Sequence, residues 1–169
     1  LTLAARDLGL TLDALLADTD TFVHGSTVAT NAVLEGKGAR CGVICTRGTR
    51  YTLWRGEGRR QQIFDFSAPP RTPLVRPHLC LELDERIDRH GRVLRALDDD
   101  EVLRAIESLR AQDCAAVAVC LLWSVRNPCH EQRIGELLRT AWPEAAYSLS
   151  SEVQPILREY PRMSCTVLN

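Results

Sequence analysis

Residues 98–150 read DDDEVLRAIESLRAQDCAAVAVCLLWSVRNPCHEQRIGELLRTAWPEAAYSLS, and this stretch decides the fold. Its centre, AAVAVCLL at 115–122, carries no polar side chain, as expected of a strand covered on both faces. Ahead of it, Val102, Leu103, Ile106 and Leu109 recur at helical spacing behind an acidic first turn, which suits a helix N-terminus. Behind it, Asn127-Pro128 supplies an N-cap and a first-position proline. The helix that follows presents Ile134, Leu137, Leu138 and Ala141, and a strand over 145–150 closes an α-β-α-β run. The spacing predicts an α/β protein with a mixed sheet built from βαβ units.

Outward from this run the pattern weakens. Leu79, Leu81 and Leu83 alternate with Cys80, Glu82 and Asp84 as a strand, and 88–91 form a turn into a short return strand over 92–94. Residues 40–46 are a second apolar strand. Residues 20–24 are expected as a short strand running through Gly25 into a helix over 27–36, ended by Gly36 and Gly38, with Val28, Ala32 and Val33 on its apolar side. Strand, helix and strand then fit within about 27 residues, the span of a compact βαβ unit. The leucines of the first 16 residues suggest one or two short helices broken near Gly9, with Thr11 capping the second. Residues 47–77 are the least regular: a short helix near 49–54, then an exposed arginine-rich loop.

With 169 residues, 45% of them hydrophobic and 25% charged, the chain is of one-domain size and of ordinary globular composition. A net charge of -1 argues against nucleic acid or an anionic membrane as partner. No apolar run is long enough to span a bilayer, and Arg6 and Asp7 interrupt the first ten residues, so no signal peptide is read there. Both ends break into the pattern, and the chain is read as a fragment. Seven cysteines include no CxxC pair. Cys41 and Cys45 share a strand face but stand roughly 13 Å apart, too far for a disulfide. Reduced thiols and a cytoplasmic location are expected.

Chemistry is first sought at residues 24–31, HGSTVATN. A strand handing over through glycine to a helix leaves backbone N–H groups unpaired, which suits an anion or a developing oxyanion. Thr27, Thr30 and Asn31 share one helical face, and His24 stands at the entrance. The plainer alternative is that Ser26 or Thr27 caps the helix, Asn31 satisfies backbone and His24 packs. Arg55 and Arg59 could hold a carboxylate, or be solvated loop arginines. Glu152 follows a strand end, where ligands gather in open α/β sheets. It is a candidate general base or water-positioning group, with helix capping by Ser150 or Ser151 as the alternative. Cys129 and His130 point to different sides of one helix, which disfavours a metal site, and Glu131 is read as complementing that helix's N-terminus.

The run VHGSTVATNAVLEGKGARCGVICTRGTR at 23–50 resembles the HGTT-x-ATN-ALLE-KGA signature of the hydantoinase A/5-oxoprolinase family, which also includes subunits of ATP-dependent acetone and acetophenone carboxylases. Further matches follow in order: NPCHE at 127–131, SLSSEV at 148–153, REY at 158–160 and SCTVLN at 164–169. The resemblance implies a partial ATPase domain of the actin/sugar-kinase/Hsp70 kind. It implies activation of a cyclic amide (a hydantoin or 5-oxoproline) or a ketone with ATP and Mg²⁺, the rest of the protein's own chain, and a second, hydantoinase B-type subunit. His24, Thr27, Thr30, Asn31, Arg55 and Arg59 become substrate- or phosphate-side candidates, and Glu152 the catalytic one. The acidic glycine-rich segment D-x-G-G-T-x-T-D that precedes this region in the family does not occur in the sequence. The 169 residues alone are therefore expected neither to bind the cofactors nor to catalyse.

One segment departs from the family pattern. Where relatives commonly read RGFRDVLEIGRQ, this chain reads RGTRYTLWRGEG at 47–58, with Thr49, Tyr51, Trp54 and Glu57 in place of Phe, Asp, Glu and Arg. The reversed charge at Glu57 puts the usual substrates in question. Two non-enzymatic or unrelated readings stand beside the hydrolase: an inactive domain kept as an assembly module, and a nucleotide-binding α/β domain of another family.

Overall fold

The computed structural model describes residues 1–23, 25–57 and 72–169, apart from the side chain of Ala29. His24, Arg59 and the loop over 58–71 lie outside the described residues. The chain divides into two compact units, Leu1–Lys37 and Gly38–Asn169.

The first unit holds three short helices: α1 (Thr2–Asp7), α2 (Leu12–Ala17) and α3 (Val28–Leu34). Thr11 caps α2 as its position predicts, its hydroxyl accepting from Ala14 N at 3.2 Å. At the end of α3, Lys37 N–H reaches Ala32 O (2.9 Å) and Gly36 N–H reaches Val33 O (3.3 Å). That closure needs Gly36 in the left-handed region, at φ 63°. The expected strand over 20–24 is not formed at 20–23, and the compact βαβ unit with it. A strand exists only through a neighbour that pairs its backbone, and the described residues of this unit include no other strand. The apolar side expected of the helix is also open, since Val28 and Val33 are exposed.

The second unit is the α/β layer read from residues 98–150. Strands β1 (Cys41–Thr46), β2 (Cys80–Leu83), β5 (Ala116–Cys120) and β6 (Ala146–Leu149) pair in the order β2-β1-β5-β6, every neighbour parallel. The antiparallel pairing sits in a separate two-stranded ribbon, β3 (Arg86–Ile87) with β4 (Val93–Arg95). Asp88 pins the ribbon's turn. Its carboxylate accepts from the backbone N–H of Arg92 and of His90 and pairs with the Arg92 guanidinium, and these bonds hold its acidity down to about 2.

Two helices make the crossovers: α5 (Asp99–Ala111) leads to β5 and α6 (Cys129–Ala141) leads from β5 to β6. Asp98 caps α5 through Asp100 N (3.0 Å), and the Asn127 side chain accepts from Cys129 N (3.1 Å) at the start of α6. The remaining helices are α4 (Thr52–Arg55), α7 (Ser150–Val153) and α8 (Glu159–Leu168), which packs on β5. Strand alternation explains the two covers. Gly42 faces Leu109 of α5, whereas Cys120 feels the guanidinium of Arg162 on α8. The β5 run is apolar throughout because neither of its faces meets water, and Val117, Ala118, Val119 and Cys120 are all buried.

Leu109 occupies the place of a side chain at Gly42: a Cβ there would lie 2.5 Å from Leu109 Cδ2, and Leu109 is itself fully buried. Gly42→Ala is expected to destabilise the chain by about 1–3 kcal/mol through overpacking. Urea unfolding measures this, and pairing the change with Leu109→Val should recover part of the loss.

Candidate functional site

The parallel strands end together, and two buried polar ties bind those ends. In the first, the Thr46 hydroxyl accepts from Leu122 N–H at 2.9 Å and donates to Glu85 Oε1. Glu85 Oε2 lies 2.7 Å from His130 Nδ1, which makes that nitrogen the protonated one in this arrangement. In the second, Glu131 Oε1 accepts from Leu121 N–H (2.8 Å) and Ser150 Oγ (2.6 Å), while Oε2 accepts from Ser151 N–H (2.8 Å). Arg162 donates to Leu121 O (2.8 Å) and Ile156 O (3.2 Å). Thr46, Glu85, Glu131, Ser150 and Arg162 are all buried. Buried carboxylates and guanidinium persist because their hydrogen-bonding capacity is largely taken up.

Two sequence readings change here. Glu131 is not a solvated charge at a helix start but a fully buried three-donor acceptor joining β5, α6 and α7. Nor do Ser150 and Ser151 cap α7 through their side chains: the Ser150 hydroxyl is taken by Glu131, and Ser151 contributes its backbone N–H. A local rule places an acid at a helix N-terminus; the competing donors come from strands that meet it only in the folded state.

Beside these ties, at the carboxyl ends of β1 and β5, lies a cleft of about 730 Å³. One wall is the segment after β1, including Thr49, Tyr51, Trp54, Arg55 and Glu57; the other is Arg158, Glu159, Tyr160 and Pro161 at the start of α8, with Leu122 between them. Open parallel sheets place their ligands at this end. All four positions that depart from the family pattern, Thr49, Tyr51, Trp54 and Glu57, line this one cleft. Tyr51 and Trp54 meet edge to face, ring centroids 6.4 Å apart. Arg158 sits at φ 85°, a strained conformation for a residue other than glycine, and such strain is often kept where a site needs it.

The sequence candidates fall into two groups. In the first unit, Thr27, Thr30 and Asn31 are exposed on α3 or at its start. Asn31 Nδ2 donates to Thr27 Oγ1 at 3.5 Å, so these two do share a face, and Ser26 Oγ accepts from Val28 N. In the second unit, Arg55 lines the cleft. Glu152 is exposed on α7 and is not among the residues lining the cleft. His24 and Arg59 lie outside the described residues. Sequence reasoning missed Arg158, Glu159 and Tyr160 as cleft residues. The REY run had been noticed only as a family match, and nothing local in it points to a wall contributed from more than 100 residues earlier.

The thiols carry no nucleophile toward this site. Burial pushes Cys45 and Cys80 up to about 12 and Cys41 up to about 11, and raises Cys114 and Cys120 as well. All seven are free, and Cys129 alone is fully exposed. Among the described residues no group of three or more His, Cys, Asp and Glu could hold a metal ion, so a magnesium site is not assembled by them and no step is derived through one. No helix among the described residues is long and apolar enough to cross a membrane.

A parallel α/β layer with a ligand-sized cleft at its strand ends defines a ligand-binding α/β protein. The hydantoinase/oxoprolinase N-terminal region model matches residues 7–142, and the chain belongs to that family. It is 38% identical to caprolactamase subunit alpha of Pseudomonas jessenii over 98% of its own length. The crystal structure of the ATP-dependent caprolactamase from that organism superposes with a TM-score of 0.86. Identity to the acetophenone carboxylase gamma subunit of Aromatoleum aromaticum is 32%, over 96% of this chain. The nucleotide-free structure of an acetone carboxylase superposes with a TM-score of 0.86 at 26% identity, over 97% of this chain. The chain spans about a quarter of the length of each of these relatives.

Proposed function

We propose that these residues form the N-terminal part of an ATP-dependent cyclic-amide hydrolase of the hydantoinase/5-oxoprolinase type and supply part of its cleft for substrate and phosphate. The colinear likeness to a caprolactamase subunit over almost the whole chain carries this reading, since caprolactam is a cyclic amide. In it, ATP and Mg²⁺ act in the complete protein, and a second subunit of the hydantoinase B type completes the assembly; the relatives named as subunits support the latter. Thr27, Thr30 and Asn31, with His24, serve the substrate or phosphate side. Arg55 and Arg59 hold anionic groups, and Glu152 positions water or accepts a proton. Seven free cysteines support a reducing, cytoplasmic setting.

The test is ATP hydrolysis by the complete protein that carries these residues, with hydantoin, 5-oxoproline, a lactam or a ketone added. Stimulation by a cyclic amide is expected, and Asn31→Ala should lower the stimulated rate by about 10–100-fold at unchanged melting temperature, as for one lost donor at a reacting centre. Unchanged kinetics in that variant would remove Asn31 from the site. A second reading, a ketone carboxylase subunit, is favoured by the likeness to acetophenone carboxylase. It predicts stimulation by a ketone with bicarbonate instead. No stimulation by any of these compounds would leave an assembly module, the reading that the altered 47–58 segment favours.

A further inference from the structure

The charges that line the cleft are unusual in having nothing to pair with. Arg55 and Arg158 present guanidinium groups, Glu57 and Glu159 present carboxylates, and none of the four has a side-chain partner among the described residues. Elsewhere in the same unit charged side chains pair readily: Arg47 and Arg95 with Asp84, Arg92 with Asp88, Arg133 with Asp99 and Glu136. Between the four unpaired charges stand Trp54 and Tyr160, aromatic surface with no polar group to satisfy except at the ring edges. A neutral ligand seated here would strip water from both signs of charge and return little, because desolvated charge must be paired. A simple anion would satisfy the arginines and repel the carboxylates.

We infer that this cleft takes an amino acid in its zwitterionic form, with its carboxylate on the arginines, its ammonium on the glutamates and an apolar body against Trp54 and Tyr160. The identification of that ligand with a ring-opened product rests on the cyclic-amide reading above. Hydrolysis of a lactam breaks the ring C–N bond; water gives its hydroxyl to the acyl carbon and a proton to the nitrogen. The amino acid released then ionises at neutral pH to carboxylate and ammonium. Planar guanidinium matches a carboxylate with two parallel bonds, and the aromatic faces accept an aliphatic chain. The cleft is thus selective for the opened compound over the neutral ring, which makes it a product or amino-acid subsite.

Calorimetric titration of the complete protein tests this with four probes: 6-aminohexanoate, caprolactam, hexanoate and hexylamine. 6-Aminohexanoate is expected to bind at least tenfold more tightly than each of the other three. Arg55→Gln, Arg158→Gln and Glu57→Gln should each weaken it about tenfold or more. Trp54→Ala should weaken it as well, and these exposed substitutions are checked for folding by thermal melting. Caprolactam binding as tightly as the zwitterion, or Gln variants within twofold of the parent, overturns the inference. Lactam-stimulated ATP hydrolysis without zwitterion binding refutes this subsite and leaves the proposed function standing. Zwitterion binding through these residues, with no lactam-stimulated hydrolysis, upholds the subsite and refutes the hydrolase reading.

Discussion

Glu131→Ala is expected to lower the unfolding free energy by about 3–5 kcal/mol, the cost of breaking a buried charged cluster from one side. The carboxylate takes the Leu121 and Ser151 backbone N–H groups and the Ser150 hydroxyl, all at 2.6–2.8 Å, and Glu131 is itself 0% exposed. Alanine leaves three donors facing a dry cavity. It also removes the negative charge that stands near the buried Arg162: both side chains act on the Cys120 thiol, in opposite directions. Glu131→Gln discriminates packing from hydrogen bonding. Its volume is the same, but whichever position its amide nitrogen takes confronts a donor, so a loss of about 1–3 kcal/mol remains. Urea unfolding gives both values. A midpoint within error of the parent for both variants would mean that water enters and satisfies the three donors.

Arg162→Ala should cost a similar amount, about 3–5 kcal/mol, for the complementary reason. Its guanidinium donates to Leu121 O and Ile156 O, and the side chain is 1% exposed. Loss of it strands both carbonyls and leaves Glu131 as a buried charge with its nearest guanidinium gone. Lysine does not repair this: a single ammonium on a linear stem lacks the fork that spans two carbonyls. Leu121 gives its N–H to Glu131 and its carbonyl to Arg162, so the two losses act on one residue and are not independent. A double-mutant cycle should show a coupling of about 0.5–3 kcal/mol. Strict additivity would mean that the two ties act separately. Leu122, the next residue, lines the cleft, and its N–H is held by Thr46. Both substitutions should therefore disturb ligand binding along with stability.

Much of this was legible along the chain. The helices α5 and α6 and the strand between them follow from apolar spacing and from caps at Asp98 and Asn127, signals that act within four residues. The Thr11 cap and the glycine closure at Gly36 are equally local. The strand expected over 20–24 failed because β-structure is a property of pairs, and a single sequence segment shows half of the pair. Arg55 was nominated from the sequence and does line the cleft, but its setting there was not visible.

By itself, then, the sequence determined the α/β class, the crossover helices and the family, because periodicity, capping and colinear motifs are all written in neighbouring residues. Only the tertiary structure decided that Glu131 is a buried cross-tie and that residues 48–57 and 158–161 face each other across one cleft. The physical reason is distance along the chain: burial and opposed walls arise when segments about 100 residues apart are brought to the same end of the sheet, and no local pattern encodes which segments those are.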